Sequence, residues 1–165
     1  MHKSLLITMA ASAIFAAPAV AQDAAANGEI AKVEQVAPQI APPPAGLGQV
    51  VFYRPSGMGG LVSCRVNEGD KVVNRLPPGR YFVQQTTPGV HEYSVHSESK
   101  DVLRVNVEDG ETAYARCSIR MGIMVGRPNL STQDRADFDK RGKKLKLQAA
   151  FVANDKDDAK EASKD

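Results

Sequence analysis

The sequence predicts an all-β protein: an antiparallel β-sandwich, immunoglobulin-like or related, of about seven strands, with a short C-terminal helical extension. Two observations carry this reading. Turn signals recur about every ten residues. Asn67-Glu68-Gly69-Asp70, Leu76-Pro77-Pro78-Gly79, Thr87-Pro88-Gly89 and Glu108-Asp109-Gly110-Glu111 each separate short runs rich in Val, Tyr, Phe and Thr. Glycine accepts positive φ, and proline presets the φ that a turn needs. The second observation is parity, since alternate residues of a strand face opposite ways. Leu103, Val105 and Val107 oppose Arg104 and Asn106; Ala113, Ala115, Cys117 and Ile119 oppose Arg116, Ser118 and Arg120; Val62, Cys64 and Val66 oppose Ser63 and Arg65. One apolar and one polar face per strand is the pattern of an antiparallel sheet with one wet side.

Taken in order, residues 1–21 read as a secretory signal. His2 and Lys3 precede an apolar run from Leu5 to Val20, and Ala19-Val20-Ala21 fits the small-x-small cleavage rule. The run is shorter than the roughly 20 residues of a spanning helix, and Pro18 interrupts it. No Cys follows the cleavage point, so no lipid anchor is expected. Residues 22–46 are rich in Ala and Pro and end in Pro42-Pro43-Pro44, which predicts a disordered linker.

The β-sandwich domain is expected over 47–130. Gln49–Arg54 is the first strand, and Val50, Val51, Phe52 and Tyr53 are apolar on both faces, as in a central or doubly covered strand. Ser56-Gly57-Met58-Gly59-Gly60 follows as a flexible loop. Leu61–Val66 and Lys71–Arg75 form a hairpin across Gly69. Arg80–Gln85, Val90–Ser97, Val102–Val107 and Thr112–Arg120 complete the set. Residues 131–153 are expected as a partly helical extension, with Ser131 as cap, Asp134 at the third helical position and Gly142 as the stop. In Lys143–Val152 a strand-like alternation competes with a helical stripe of Leu145, Ala149 and Val152, and helix is favoured. The charged segment 154–165 is expected to be disordered.

The chain has 165 residues, two cysteines, no Trp and a formal charge of +2. Near-neutrality gives no case for a nucleic-acid binder. Cys64 and Cys117 both fall on apolar strand faces. An even count in an exported chain points to a disulfide across or beside the core. It would close a loop of roughly 54 residues and stabilise the fold by about 4 kcal/mol. Two buried free thiols or a redox pair are the alternatives, though no Cys-x-x-Cys spacing is present.

No catalytic constellation is legible. There is no Gly-x-Ser-x-Gly, His-Glu-x-x-His or phosphate-cradling Gly-rich motif. His91 and His96 have opposite parity and cannot chelate one ion together. His91 reads as a partly buried hydrogen-bonding residue near its turn, and His96 as solvated. Asp101, Glu108, Asp109 and Glu111 sit in or beside turns. No cofactor or metal is expected. The strongest charge feature is Lys140, Arg141, Lys143, Lys144 and Lys146, five cations within seven residues. It reads either as a solvated charged tail or as a strip attracted to an anionic envelope surface.

Gly48-Gln49-Val50-Val51-Phe52-Tyr53-Arg54-Pro55, Leu76-Pro77-Pro78-Gly79-Arg80-Tyr81, Thr87-Pro88-Gly89-Val90-His91 and Val107-Glu108-Asp109-Gly110-Glu111-Thr112-Ala113-Tyr114 occur in that order. Together they resemble the bacterial envelope family known as domain of unknown function 2846, over roughly residues 46–130. The resemblance implies a small exported sandwich-like fold with no established activity or catalytic residues. The expected function is a periplasmic or secreted, non-catalytic binding or envelope-structural module. The alternatives are an accessory subunit of an envelope complex, docking through its linker and basic segment, and a hydrolase without a recognisable motif.

Overall fold

A computed structural model describes residues 36–57, 62–124 and 126–152. The expected signal segment 1–21, the first part of the expected linker, residues 58–60 of the glycine loop and the tail 154–165 lie outside the described residues. The chain folds as an all-β sandwich. Strands run β1 (Gly48–Arg54), β2 (Cys64–Glu68), β3 (Lys71–Leu76), β4 (Arg80–Thr86), β5 (Gly89–His96), β6 (Lys100–Val107), β7 (Thr112–Arg120) and β8 (Arg127–Gln133). Helix α1 (Arg135–Arg141), a 3-10 turn over Gly142–Lys144 and the two-residue strand β9 (Lys146–Leu147) follow. One sheet has the order β8-β7-β1-β4-β9 and the other β3-β2-β5-β6.

Most pairings are antiparallel, but β1 lies parallel to β7 and β9 parallel to β4. β1 is central, with β4 on one side and β7 on the other. All seven of its residues are buried. Its alternation explains why: Val50 and Phe52 enter the core between the sheets, while Val51 and Tyr53 enter a second core on the outer face. Gly48 is required at its start, because a Cβ there would stand 2.3 Å from Val107 Cγ1 and 2.6 Å from the Glu108 carbonyl. The predicted turn at Gly69 has φ 58° and that at Gly79 has φ 73°, the left-handed region that glycine enters without strain.

The inter-sheet core gathers Phe52, Phe82, Tyr93, Leu76, Val66, Val95, Val105, Val107 and Leu130 around the two cysteines. Phe82 stacks on Phe52 at 5.0 Å, and Tyr93 meets Phe52 edge-on at 4.9 Å. Ala113 and Ile119 pack against this core from the predicted apolar face of β7, as does Leu103 from that of β6.

The structure corrects the C-terminal expectations. The sheet continues beyond residue 130, because Arg127–Gln133 forms β8 and pairs with β7 from Tyr114↔Gln133 to Arg120↔Arg127. Ser131 is therefore a strand residue. The helix cap is Asp134, whose Oδ1 accepts from the Asp137 amide at 2.7 Å. Gly142 does end α1. Lys143–Val152 is not helical beyond Lys144. Leu145 drops into the second core, and the Lys146 and Gln148 amides donate to the carbonyls of Gly79 and Tyr81 at 3.0 and 2.7 Å. The open edge of β4 offers these acceptors, and pairing with it outweighs the local helical stripe.

The described part of the expected linker is also packed. Ala37 is buried and Ile40 lies against the second core; Gln49 Nε2 donates to the Ala41 carbonyl at 2.7 Å. The outer face of the β1 sheet is thus dry at Val51 and Tyr53, as their apolar pattern predicts, and also at Tyr114 of β7, where a wet side was expected. Phe138 of α1 covers it, with its ring 5.2 Å from both Tyr53 and Tyr114.

Candidate functional site

Cys64 on β2 and Cys117 on β7 are joined by a disulfide with a Cα–Cα distance of 6.6 Å. Parity had placed both on inner faces, and both are buried there. The bridge ties one sheet to the other through the core. Such bonds form and persist in oxidising surroundings, so the chain suits that type of compartment.

A polar cluster lies on the outer face, where α1 packs over β1 and β7. Asp137 is its centre. The Tyr53 hydroxyl donates to Asp137 Oδ2 at 2.5 Å, Arg116 Nη1 donates to the same oxygen at 3.0 Å, and Arg141 Nε donates to Oδ1 at 2.7 Å. Burial alone would raise the Asp137 carboxyl, but the bonds from Tyr53 and Arg141 and the two guanidinium charges hold it below the usual carboxylate range. Burial first, and the Asp137 carboxylate second, push the Tyr53 phenol far above its ordinary value. Beside this cluster runs a groove of about 280 Å³ whose walls include Pro55, Gly57, Arg116, Ile119 and Arg141. Two of the cations on that groove are committed to Asp137. The cluster therefore works first as the lock that fixes α1 on the sheet.

Asp137 was not legible as a partner in the sequence. The i,i+4 spacing of Asp137 and Arg141 on a predicted helix was the one available signal. Its bonds to Tyr53 and Arg116 depend on how the helix is laid across the sheet.

A second polar cluster sits at the opposite end of the sandwich. His91 Nδ1 lies 2.7 Å from Glu68 Oε1, and its Nε2 lies 2.8 Å from the Thr87 carbonyl oxygen. The turn engages Nε2, which also lies 2.9 Å from Thr86 Oγ1, while Glu68 at the end of β2 engages Nδ1. His96 is exposed on the other strand face. Among the described residues, no three of His, Cys, Asp and Glu converge as a metal site. Asp101 is spent on β8, where it accepts from the Asn129 side chain at 2.9 Å and the Leu130 amide at 2.8 Å.

The basic segment is ordered and exposed. Lys140 and Arg141 form the last turn of α1, where cations oppose the negative end of the helix dipole. Lys143, Lys144 and Lys146 continue the strip into solvent. Between these cations, Gly142 is buried and Leu145 turns into the second core. The strip crosses the end of the sheet where β1 finishes, since Lys146 bonds to Gly79 and the Gly79 amide donates to the Arg54 carbonyl at 2.9 Å.

The phenols give the fold a defined alkaline limit. Burial, with the Glu68 charge as a second cause, pushes Tyr93 up to about 12 from 10.0. Tyr53 is displaced in the same direction. The unfolded chain then releases these protons first, so stability is fully present below pH 10 and falls as pH rises through the folded values. Tyr93 alone contributes about 3 kcal/mol to this loss between pH 10 and 12. Urea unfolding midpoints taken from pH 8 upward should stay level and then drop steeply above pH 10. Tyr93→Phe should flatten that descent; an unchanged slope in the variant refutes the assignment.

A Haemophilus influenzae protein described as uncharacterized is 28% identical to this chain over 127 residues, covering 75% of this chain and 76% of its own length. No family model matches the sequence, and no solved structure matches it.

Proposed function

We propose that this chain is an exported, non-catalytic module of the bacterial envelope, of the type grouped as domain of unknown function 2846, which works by binding. The observation that carries this reading is the Cys64–Cys117 bridge, buried between the two sheets. A core built around a disulfide belongs to a compartment where thiols are oxidised, and the leader-like first residues fit export to the periplasm. The reactive side chains support binding over catalysis. Asp137, Tyr53, His91 and Glu68 are each held in contacts within the fold, and the Thr86 hydroxyl, 2.9 Å from His91 Nε2, is buried at the end of β4 away from any substrate.

Cell fractionation with thiol trapping tests this. The full chain expressed in a Gram-negative host should be released with the periplasmic contents. Its intact mass should be that of the bridged form, shorter at the N-terminus by the leader. Cytoplasmic, reduced protein would count against export and against the reading as a whole.

A second reading, docking onto an envelope protein through the basic segment, is favoured by the exposure of Lys140, Lys143, Lys144 and Lys146. Deleting this segment is a poor test, because it also removes Leu145 from the second core. Charge reversal of the four lysines leaves the core intact. Under this reading it should abolish co-purification of the partner.

A further inference from the structure

The hairpin between β7 and β8 carries an uncharged tip that includes Met121-Gly122-Ile123-Met124 and Gly126. Met121, Ile123 and Met124 are 87%, 88% and 90% exposed. Solvent does not favour three large apolar side chains displayed within four residues. The tip is nevertheless held in place. The Glu98 carboxylate, from the β5–β6 turn, accepts from the amides of Ile123 at 3.1 Å and Met124 at 2.6 Å and from Arg127 Nε at 2.9 Å. Gly126 is pressed so close to the sheet that a Cβ there would lie 2.5 Å from Ile119 Cγ2. The backbone is anchored inward while the side chains stand outward.

The same end of the sandwich carries the basic strip. β1 runs parallel to β7, so the Arg54 end of one lies beside the Arg120 end of the other. The groove that holds Arg141 also touches Ile119, and Lys146 reaches this end through Gly79. Arg120, Lys100 and His96 are exposed around the tip. The nearby acids are engaged: Glu98 by the tip itself and Arg127, Asp101 by β8.

We propose that this end is a membrane-docking face, on which Met121, Ile123 and Met124 enter the interface of an anionic phospholipid bilayer while Lys143 and Lys144 contact its headgroups. The inference rests on the envelope-module reading and names its binding partner. A convex tip with separate apolar side chains suits a deformable lipid surface, which needs no complementary groove. Apolar residues supply insertion, and cations supply attraction to acidic headgroups that fades within a Debye length. Methionine adapts to an irregular contact because its side chain is unbranched and flexible. The tip is too short to span, so the contact is interfacial.

Co-sedimentation of the exported protein with vesicles tests it. Phosphatidylethanolamine vesicles containing phosphatidylglycerol should carry the protein down, and pure phosphatidylcholine vesicles should do so far less. M121S/I123S/M124S should weaken partitioning by about tenfold or more. K143E/K144E should weaken it and flatten its dependence on salt. V90S, which alters an exposed valine at the other end of the sandwich, should change nothing. Equal partitioning of the triple-serine variant, or no sedimentation of wild type with the anionic vesicles, overturns the proposal.

A photoreactive amino acid in place of Ile123, irradiated in intact cells, separates the remaining occupants. Lipid adducts support membrane docking. Adducts to another protein, or to a second copy of the chain, overturn it and leave the binding-module reading standing. Recovery of the protein reduced in the cytoplasm overturns both.

Discussion

Replacing Cys64 and Cys117 together by serine should lower the melting temperature by roughly 20 °C, the largest loss expected from any paired exchange in the chain. The sequence separation of 53 residues sets the scale. Closing a loop of that length removes about 4 kcal/mol of chain entropy from the unfolded state on the loop-entropy model. A small domain loses about 4–8 °C per kcal/mol. Total stability for one domain is about 5–15 kcal/mol, so the reduced form should sit near the edge of folding. Both cysteines are buried in the apolar inter-sheet core, so two serine hydroxyls there would also be placed in apolar surroundings. C64A/C117A separates the two effects. It keeps the loop open without adding a buried hydroxyl, and should recover part of the loss. Calorimetry on wild type, each pair and the reduced wild type makes the comparison. A double-alanine variant that melts with wild type would show that the bridge adds nothing to the sandwich.

This bridge was legible in the sequence because strand parity is a local property. Cys64 shares a face with Val66, and Cys117 with Ala115 and Ile119, so each sulfur's facing follows from its neighbours alone. The turn spacing was legible for the same reason: Gly69, Gly79, Gly89 and Gly110 all adopt positive φ. The second core was not. Val51 and Tyr53 announced a doubly covered strand, but nothing near them in the chain shows what covers them. The cover comes from Phe138 and Leu145, more than 80 residues later, and from Ala37. Residues 127–133 were missed as a strand because Ser131 read as a helix cap, which placed the end of the sandwich at residue 130. Pro128 is tolerated since β8 is an edge strand, where a missing N–H need face no partner. β9 was missed because its two residues are set by the free edge of β4 and carry no pattern of their own. The basic segment was visible as charge. That it shares an end with the apolar tip follows only from the parallel pairing of β1 with β7, a long-range fact.

Phe138→Ala should be the most damaging single substitution on the outer face, with an expected cost of about 3–5 kcal/mol. Phe138 is the one buried residue of α1. Its ring packs on Tyr53 and Tyr114 at 5.2 Å and on Tyr81 at 6.1 Å. A seven-residue helix has no stability of its own in water, so its order derives from this contact and from the bonds to Asp137. Loss of the ring should release α1 and with it the buried Leu145 and Ala37. Three consequences are measurable. The melting temperature falls, trypsin cuts at Lys140, Lys143 and Lys144 much faster than in wild type, and Tyr53 begins to ionise nearer its ordinary value. Phe138→Leu keeps most of the volume and should show each effect weakly. Asp137→Asn is the complementary change, since it leaves the ring and weakens the ion pairs with Arg116 and Arg141; its loss should shrink as pH falls toward the carboxylate's own titration. The inter-sheet core, held by the disulfide, should persist in all three variants. A Phe138→Ala protein that resists trypsin at the basic segment and melts with wild type would mean that α1 is held by its polar bonds alone.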